Sequence, residues 1–85
     1  MDLYNKVNFI LADWNPIGVD SAIALDEYKG YIPLIIRNLN NRKNLLNALI
    51  TILSELGLDY DSENISHQQE LDEIIKNLLK IDLHT

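Results

Sequence analysis

Apolar residues recur along this chain at the spacing of an α-helix, and that spacing limits its fold more than any other feature of the sequence. The first run predicts a helix over Asp2–Asp13, with these residues at i, i+4, i+7, i+8 and i+11: Leu3, Val7, Ile10, Leu11 and Trp14. The same spacing predicts a later helix through Leu45, Leu49, Ile52, Leu53 and Leu56. Gly57 follows this helix, where a left-handed glycine commonly terminates it.

A further helix is predicted between these two runs. Asp26 and Glu27 favour a helix start, because acids stabilise the positive end of the helix dipole, and an apolar stripe at helical spacing follows them. Gly30 and Pro33 lie in the first turns of this helix. They indicate either a later start near Tyr31 or a bend where the proline removes a hydrogen bond.

The remaining segments contain one more helix and two connections. Ser66 and Gln69 match a capping box, which predicts a last helix with Ser66 as its N-cap that ends near Leu83. Asn15–Gly18 matches a type I turn, because proline occupies its second position and glycine its fourth. Val19–Leu25 shows no clear period and is expected to be an irregular connection with at most one helical turn.

Length and composition make one small domain the simplest expectation. The chain has 85 residues and no cysteine, so one apolar core without disulfides must hold the fold. No strand-like alternation is present. We therefore predict a single helical domain over residues 1–85, an all-α compact bundle of about four amphipathic helices. Met1–Lys6 lacks the features of a signal peptide and no long apolar run follows, so we expect a cytoplasmic protein without a membrane segment.

The sequence contains no recognisable catalytic or cofactor motif. His67 and His84 are the two histidines, and neither belongs to a His-Glu-x-x-His arrangement of the kind that binds zinc. Three glycines in total make a phosphate-binding loop difficult to build. We therefore expect no enzymatic activity, no cofactor and no metal site.

One acidic spacing resembles a calcium loop. Asp59, Asp61, Glu63 and Glu70 occupy positions 1, 3, 5 and 12 of the calcium-loop template, between two predicted helices. The template requires glycine at position 6, where this chain has Asn64. A degenerate calcium-binding module is therefore a less favoured alternative to a solvated acidic loop.

The charge of the protein is concentrated in its second half. Residues 1–43 contain as many acids as bases, so the net charge of −6 belongs entirely to residues 44–85. Such a field repels nucleic acid and increases the association rate of a basic protein. An aromatic residue within this acidic run favours a protein interface over a purely solvated surface. The predicted contact residues are Glu55, Asp59, Tyr60, Asp61, Glu63, Glu70 and Glu73.

A string near the first predicted turn resembles a family of small, acidic, helical bacterial proteins. The string is Asp13-Trp14-Asn15-Pro16-Ile17-Gly18-Val19, followed by Asp26-Glu27-Tyr28 and then by Tyr31-Ile32-Pro33. The resemblance covers about residues 10–40. Some members of that family resemble immunity proteins that are encoded beside toxins of contact-dependent growth inhibition systems.

The resemblance implies a stoichiometric inhibitor of a cognate toxin. Its partner would be a basic, nuclease-like protein domain, and the chain would be a monomer or a weak homo-oligomer. The shared string itself has a structural interpretation, in which Trp14 closes the core and Asp26 and Glu27 start the next helix. A helical adaptor or self-associating bundle is the main alternative, and its expected sign is an exposed apolar strip along Leu46 and Ile50.

Overall fold

The computed structural model describes residues 2–81, and all regular structure within them is helical. The predicted all-α class is confirmed. Leu83, the predicted end of the last helix, and His84 lie outside the described residues. The α-helices are α1 (Leu3–Trp14), α2 (Ser21–Glu27), α3 (Ile32–Arg37), α4 (Arg42–Glu55) and α5 (Ile65–Leu79), with a 3-10 turn at Lys29–Tyr31.

The turn after α1 is built around the side chain of Asn15. Asn15 has a left-handed φ of 45°, and its backbone N–H donates to the Leu11 carbonyl at the end of the helix. Its side-chain amide donates to the Val19 carbonyl at 2.7 Å, and its Oδ1 accepts from the Tyr28 hydroxyl at 2.8 Å. The Tyr28 hydroxyl also accepts from the Ile17 N–H at 3.2 Å. These bonds join the turn to the end of α2, thirteen residues later.

The segment expected to be irregular forms a helix instead. Asp20 caps α2, because its Oδ1 accepts a hydrogen bond from the Ala22 N–H at 3.1 Å. Asp26 and Glu27 therefore lie at the C-terminal end of α2 and do not start the next helix. The next helix, α3, begins after the 3-10 turn with Pro33 in its first turn, where the missing N–H costs nothing.

The end of α4 is confirmed in detail. Gly57 has a φ of +76°, and its N–H donates to the Ser54 carbonyl at 3.1 Å. The Leu58 N–H donates to the Leu53 carbonyl at 2.8 Å. The two bonds form a Schellman motif, which satisfies carbonyls at the end of the helix and turns the chain towards α5.

The start of α5 corrects the predicted capping box. Asn64 is the N-cap, and its Oδ1 accepts from the His67 N–H at 3.2 Å. Ser66 is the second residue of the helix and not its N-cap. Asparagine is at least as good an N-cap as serine, so the chain begins the helix two residues earlier than the serine indicated.

This assignment of the cap predicts a difference between two alanine variants. Asn64→Ala is expected to lower the free energy of unfolding by about 1 kcal/mol, because it removes the acceptor for the His67 N–H. Ser66→Ala, inside the helix, is expected to stay within about 0.5 kcal/mol of the wild type. Urea denaturation followed by circular dichroism measures both. A larger loss for Ser66→Ala than for Asn64→Ala would show that Ser66 is the N-cap, as the capping box predicts.

The core lies between α1, α3, α4 and α5, and α2 packs along α1. Helix α4 packs against both α3 and α5. Leu46 and Ile50 are partly buried against the core, so the exposed strip expected for self-association does not form there. Within residues 2–81, none of the helices combines the length and the apolar character that crossing a bilayer requires.

Candidate functional site

A cleft opens where the end of α1, the α4–α5 loop and the first turns of α5 meet. Its volume is about 230 Å³. Leucines from three segments form its apolar part, and the turn after α1 forms one edge. The residues that line it are Trp14, Asn15, Pro16, Leu53, Leu58, Asp59, Tyr60, His67, Glu70 and Leu71.

Aromatic rings form part of the lining of the cleft. Tyr60 and His67 are stacked, with ring centroids 6.1 Å apart and planes inclined by 30°. The Asp61 N–H donates to His67 Nδ1 at 3.1 Å, which fixes the imidazole and makes Nδ1 the acceptor nitrogen. Trp14 adds a third ring, whose Nε1 is buried and finds no hydrogen-bond acceptor within residues 2–81. The loop conformation and the α5 cap together hold the stacked pair in place.

Two exposed carboxylates, those of Asp59 and Glu70, also line the cleft. Among the described residues, neither has a cationic side chain within salt-bridge distance. The ion pairs formed between residues within 2–81 include Lys29–Asp26 in the first half of the chain and Arg42–Asp72 between α4 and α5. Within residues 2–81, no basic side chain therefore neutralises the charge of the cleft.

The structure brings only part of the predicted contact set together. Asp59, Tyr60 and Glu70 line the cleft. Asp61 and Glu63 are exposed in the loop, where Asp61 Oδ1 accepts from the Glu63 N–H at 2.9 Å. The other two predicted residues, on the last turn of α4 and the middle of α5, are also exposed but do not line the cleft: Glu55 and Glu73.

Sequence reasoning missed the residues that complete the cleft. The sequence pattern places Trp14 in the core and assigns His67 no role in a site. Trp14 is partly buried against the core and also lines the cleft, and His67 is stacked on Tyr60. No periodicity links positions 14, 60 and 67, so only the turn after α1 and the Schellman motif after α4 bring them together.

The loop does not have the shape of a calcium loop. Asn64, at the position where the template requires a sharp glycine turn, has φ −85° and ψ 115° and caps α5. Within residues 2–81, no group of three or more His, Asp or Glu side chains is arranged to hold a metal ion. The carboxylates at the calcium-loop spacing therefore do not converge on a common centre.

A second groove shares Tyr60 with the cleft. It lies between α4 and α5, has a volume of about 740 Å³, and includes Ile65, whose side chain is 68% exposed. Arg42 and Lys43 line it together with Asp72, to which Arg42 is paired. Tyr60 contributes to both surfaces and is the aromatic residue that they share.

The arrangement in the cleft suits binding of a cation. Exposed carboxylates attract positive charge, and the ring face of Tyr60 carries a partial negative charge that a cation can contact. Comparison of the chain with known protein families, with characterised proteins and with solved structures finds no match.

Proposed function

We propose that this chain is a non-enzymatic binding protein that neutralises a basic protein partner by stoichiometric binding. The observation that carries the proposal is the cleft, in which the unpaired carboxylates of Asp59 and Glu70 adjoin the stacked ring of Tyr60. Charged groups increase the rate of encounter, and aromatic anchors supply affinity after contact. Both kinds of group are present at this one place.

The charge of the surroundings supports a basic partner. The span Glu55–Glu73 contains seven acids and no lysine or arginine. One of these acids, Asp72, is paired with Arg42, and the others are exposed without a salt bridge among the described residues. This field attracts a basic surface from a distance and disfavours nucleic acid, whose phosphates would be repelled.

The resemblance in residues 10–40 indicates which class of basic protein the partner belongs to. It favours an immunity protein of the contact-dependent growth inhibition type, whose cognate toxin is a basic, nuclease-like domain. Neutralisation then requires only that the bound chain block access of substrate to the toxin. The proposed place of action is the cytoplasm, and the proposed state is a monomer or weak homo-oligomer.

Affinity capture from the source cells tests this proposal. The tagged chain is incubated with lysate and washed at low and then moderate salt, and the released proteins are identified by mass spectrometry. One basic protein that is released by salt, and whose activity the chain abolishes at a 1:1 ratio, is the expected result. Specific recovery of only acidic proteins, or of a basic protein that stays fully active when bound, would contradict the proposal.

A helical adaptor or self-associating bundle is the second candidate, because apolar side chains are exposed around α2. Phe9 and Leu25 line a groove between α1 and α2 and are 49% and 39% exposed, and Ile23 on α2 is 54% exposed. Such a surface is typical of a contact between proteins. A molecular mass that stays monomeric at all concentrations in analytical ultracentrifugation would exclude self-association.

A further inference from the structure

We propose that the cleft between the α1 turn, the α4–α5 loop and α5 receives a single arginine side chain of the binding partner. The residues that line this cleft include Asp59, Tyr60, His67, Glu70 and three leucines. The inference rests on the proposed function, since it names the group of a basic partner that enters the site.

The size of the cleft selects a side chain rather than a free small molecule. Its volume of about 230 Å³ lies below the range of about 300–1,000 Å³ that is typical of small-molecule sites. Its lining is mixed, with leucines in its interior and carboxylates that remain exposed to solvent. A long side chain with an apolar stem and a charged end matches both parts of that lining.

Charge selects a cationic end group. Asp59 and Glu70 are the charged carboxylates of the cleft, and no lysine or arginine lines it. An anionic group in the cleft would be repelled by the two carboxylates. A neutral apolar group would lie beside the carboxylates without offering them a partner. A cation is attracted by both carboxylates.

The aromatic pair distinguishes arginine from lysine. A guanidinium group is planar, stacks on aromatic faces and donates in a fork to carboxylates, whereas an ammonium group is a compact, strongly hydrated charge. Tyr60 and His67 present a fixed, stacked pair of rings beside the carboxylates of the cleft. Leu58 and Leu71 line the same cleft and suit the methylene stem. An arginine side chain can therefore make favourable contacts with more of the residues that line the cleft than a lysine side chain can.

A titration with arginine itself tests the inference without the partner. The probe is Nα-acetyl-arginine amide, added to the isotope-labelled full chain and followed by two-dimensional NMR. Trp14, the one tryptophan of the chain, lines the cleft, and its indole N–H gives a separate signal to follow. Saturable shifts are expected at Trp14, Tyr60 and His67, at millimolar probe concentrations. Nα-acetyl-lysine amide is expected to bind more weakly at the same residues.

Matched variants identify the carboxylates responsible. Asp59→Asn with Glu70→Gln is expected to weaken arginine binding about tenfold, the combined effect of two partly exposed ion pairs. Glu55→Gln with Glu73→Gln removes the same charge outside the cleft and is expected to leave binding within about twofold. Tyr60→Leu keeps the carboxylates, and is expected to abolish the preference for arginine over lysine.

The outcomes separate this inference from the proposed function. Equal weakening by the two double variants, equal affinity for the two probes, or unsaturable shifts spread over all acidic surfaces would overturn the arginine site. A basic partner recovered by affinity capture would still support the proposed function in that case. Conversely, saturable arginine binding in the cleft would stand even if the captured partner proved to be no toxin.

Discussion

Replacement of Tyr28 by alanine is expected to lower the free energy of unfolding by about 3–5 kcal/mol, the usual cost of removing a large buried aromatic side chain. Tyr28 is 1% exposed and belongs to the core. Folded domains are stable by only about 5–15 kcal/mol, so this variant is expected to be partly unfolded at 37 °C. Thermal and urea denaturation followed by circular dichroism measures the loss.

The hydroxyl group of Tyr28 has a separate effect. Tyr28→Phe keeps the ring but leaves the Ile17 N–H without its partner and removes one donor to Asn15 Oδ1. A loss of about 1–3 kcal/mol is expected. The control is Tyr31→Phe, at a partly buried ring whose hydroxyl makes no hydrogen bond within the described chain. Equal losses for the two variants would show that the bonds between Tyr28 and the turn do not stabilise the fold.

The ionisation of Tyr28 adds a dependence on pH. Burial raises the pKa of Tyr28 above its ordinary value of 10.0; the hydrogen bond from Ile17 opposes the rise, and Glu27 adds to it. Because the folded pKa lies above the unfolded one, the contribution to stability is complete below about pH 10 and is lost as the pH rises through the folded pKa. Stability of the wild type is therefore expected to fall more steeply above pH 10 than that of Tyr28→Phe.

Charge reversal in the cleft is expected to have the largest effect on binding. Asp59→Lys with Glu70→Lys should slow association with the basic partner about ten- to a hundredfold at low salt, because both the attraction and the contact are lost. The difference should shrink strongly near 1 M salt, where the Debye length is about 3 Å. Stopped-flow or surface plasmon resonance measurements at several salt concentrations give the rate.

A matched variant separates local contact from overall charge. Glu55→Lys with Glu73→Lys changes the net charge by the same amount, but at exposed positions outside the cleft. Its effect on the association rate is expected to be several-fold smaller, and its effect on dissociation negligible. If both double variants slow association equally and neither speeds dissociation, the acidic half acts only through its overall field, and the contact face lies elsewhere.

Local patterns in the sequence were enough to predict the long helices. The apolar stripes of α1 and α4 and the left-handed Gly57 are properties of neighbouring residues, and the structure confirms them. The cap of α5 was misplaced by two residues, because Asn64 and Ser66 are both competent caps and only the fold of the loop decides between them. The all-α class did not depend on that choice.

The other differences come from contacts between distant residues. The α2 helix is stabilised by its Asp20 cap and by packing along α1. Tyr28 donates a hydrogen bond to the turn after α1. The packing and the Tyr28 bond join residues that are far apart in the sequence, so a local sequence pattern does not indicate them. The cleft likewise joins Trp14 to Tyr60 and His67. Charge patterning could indicate the acidic loop, but it could not indicate which aromatic residues face it. Those residues are set by the tertiary fold.

Site-specific photo-cross-linking shows which surface of the chain contacts its partner in cells. A photoreactive phenylalanine analogue replaces Tyr60 in one protein and Phe9 in another, and each is irradiated in cells that contain the natural partner. Position 60 borders the cleft, and position 9 lies on the apolar surface of α1 and α2. We expect an adduct with a basic protein from position 60 and little adduct from position 9. An adduct from position 9 alone, or one that joins two copies of this chain, would contradict this expectation.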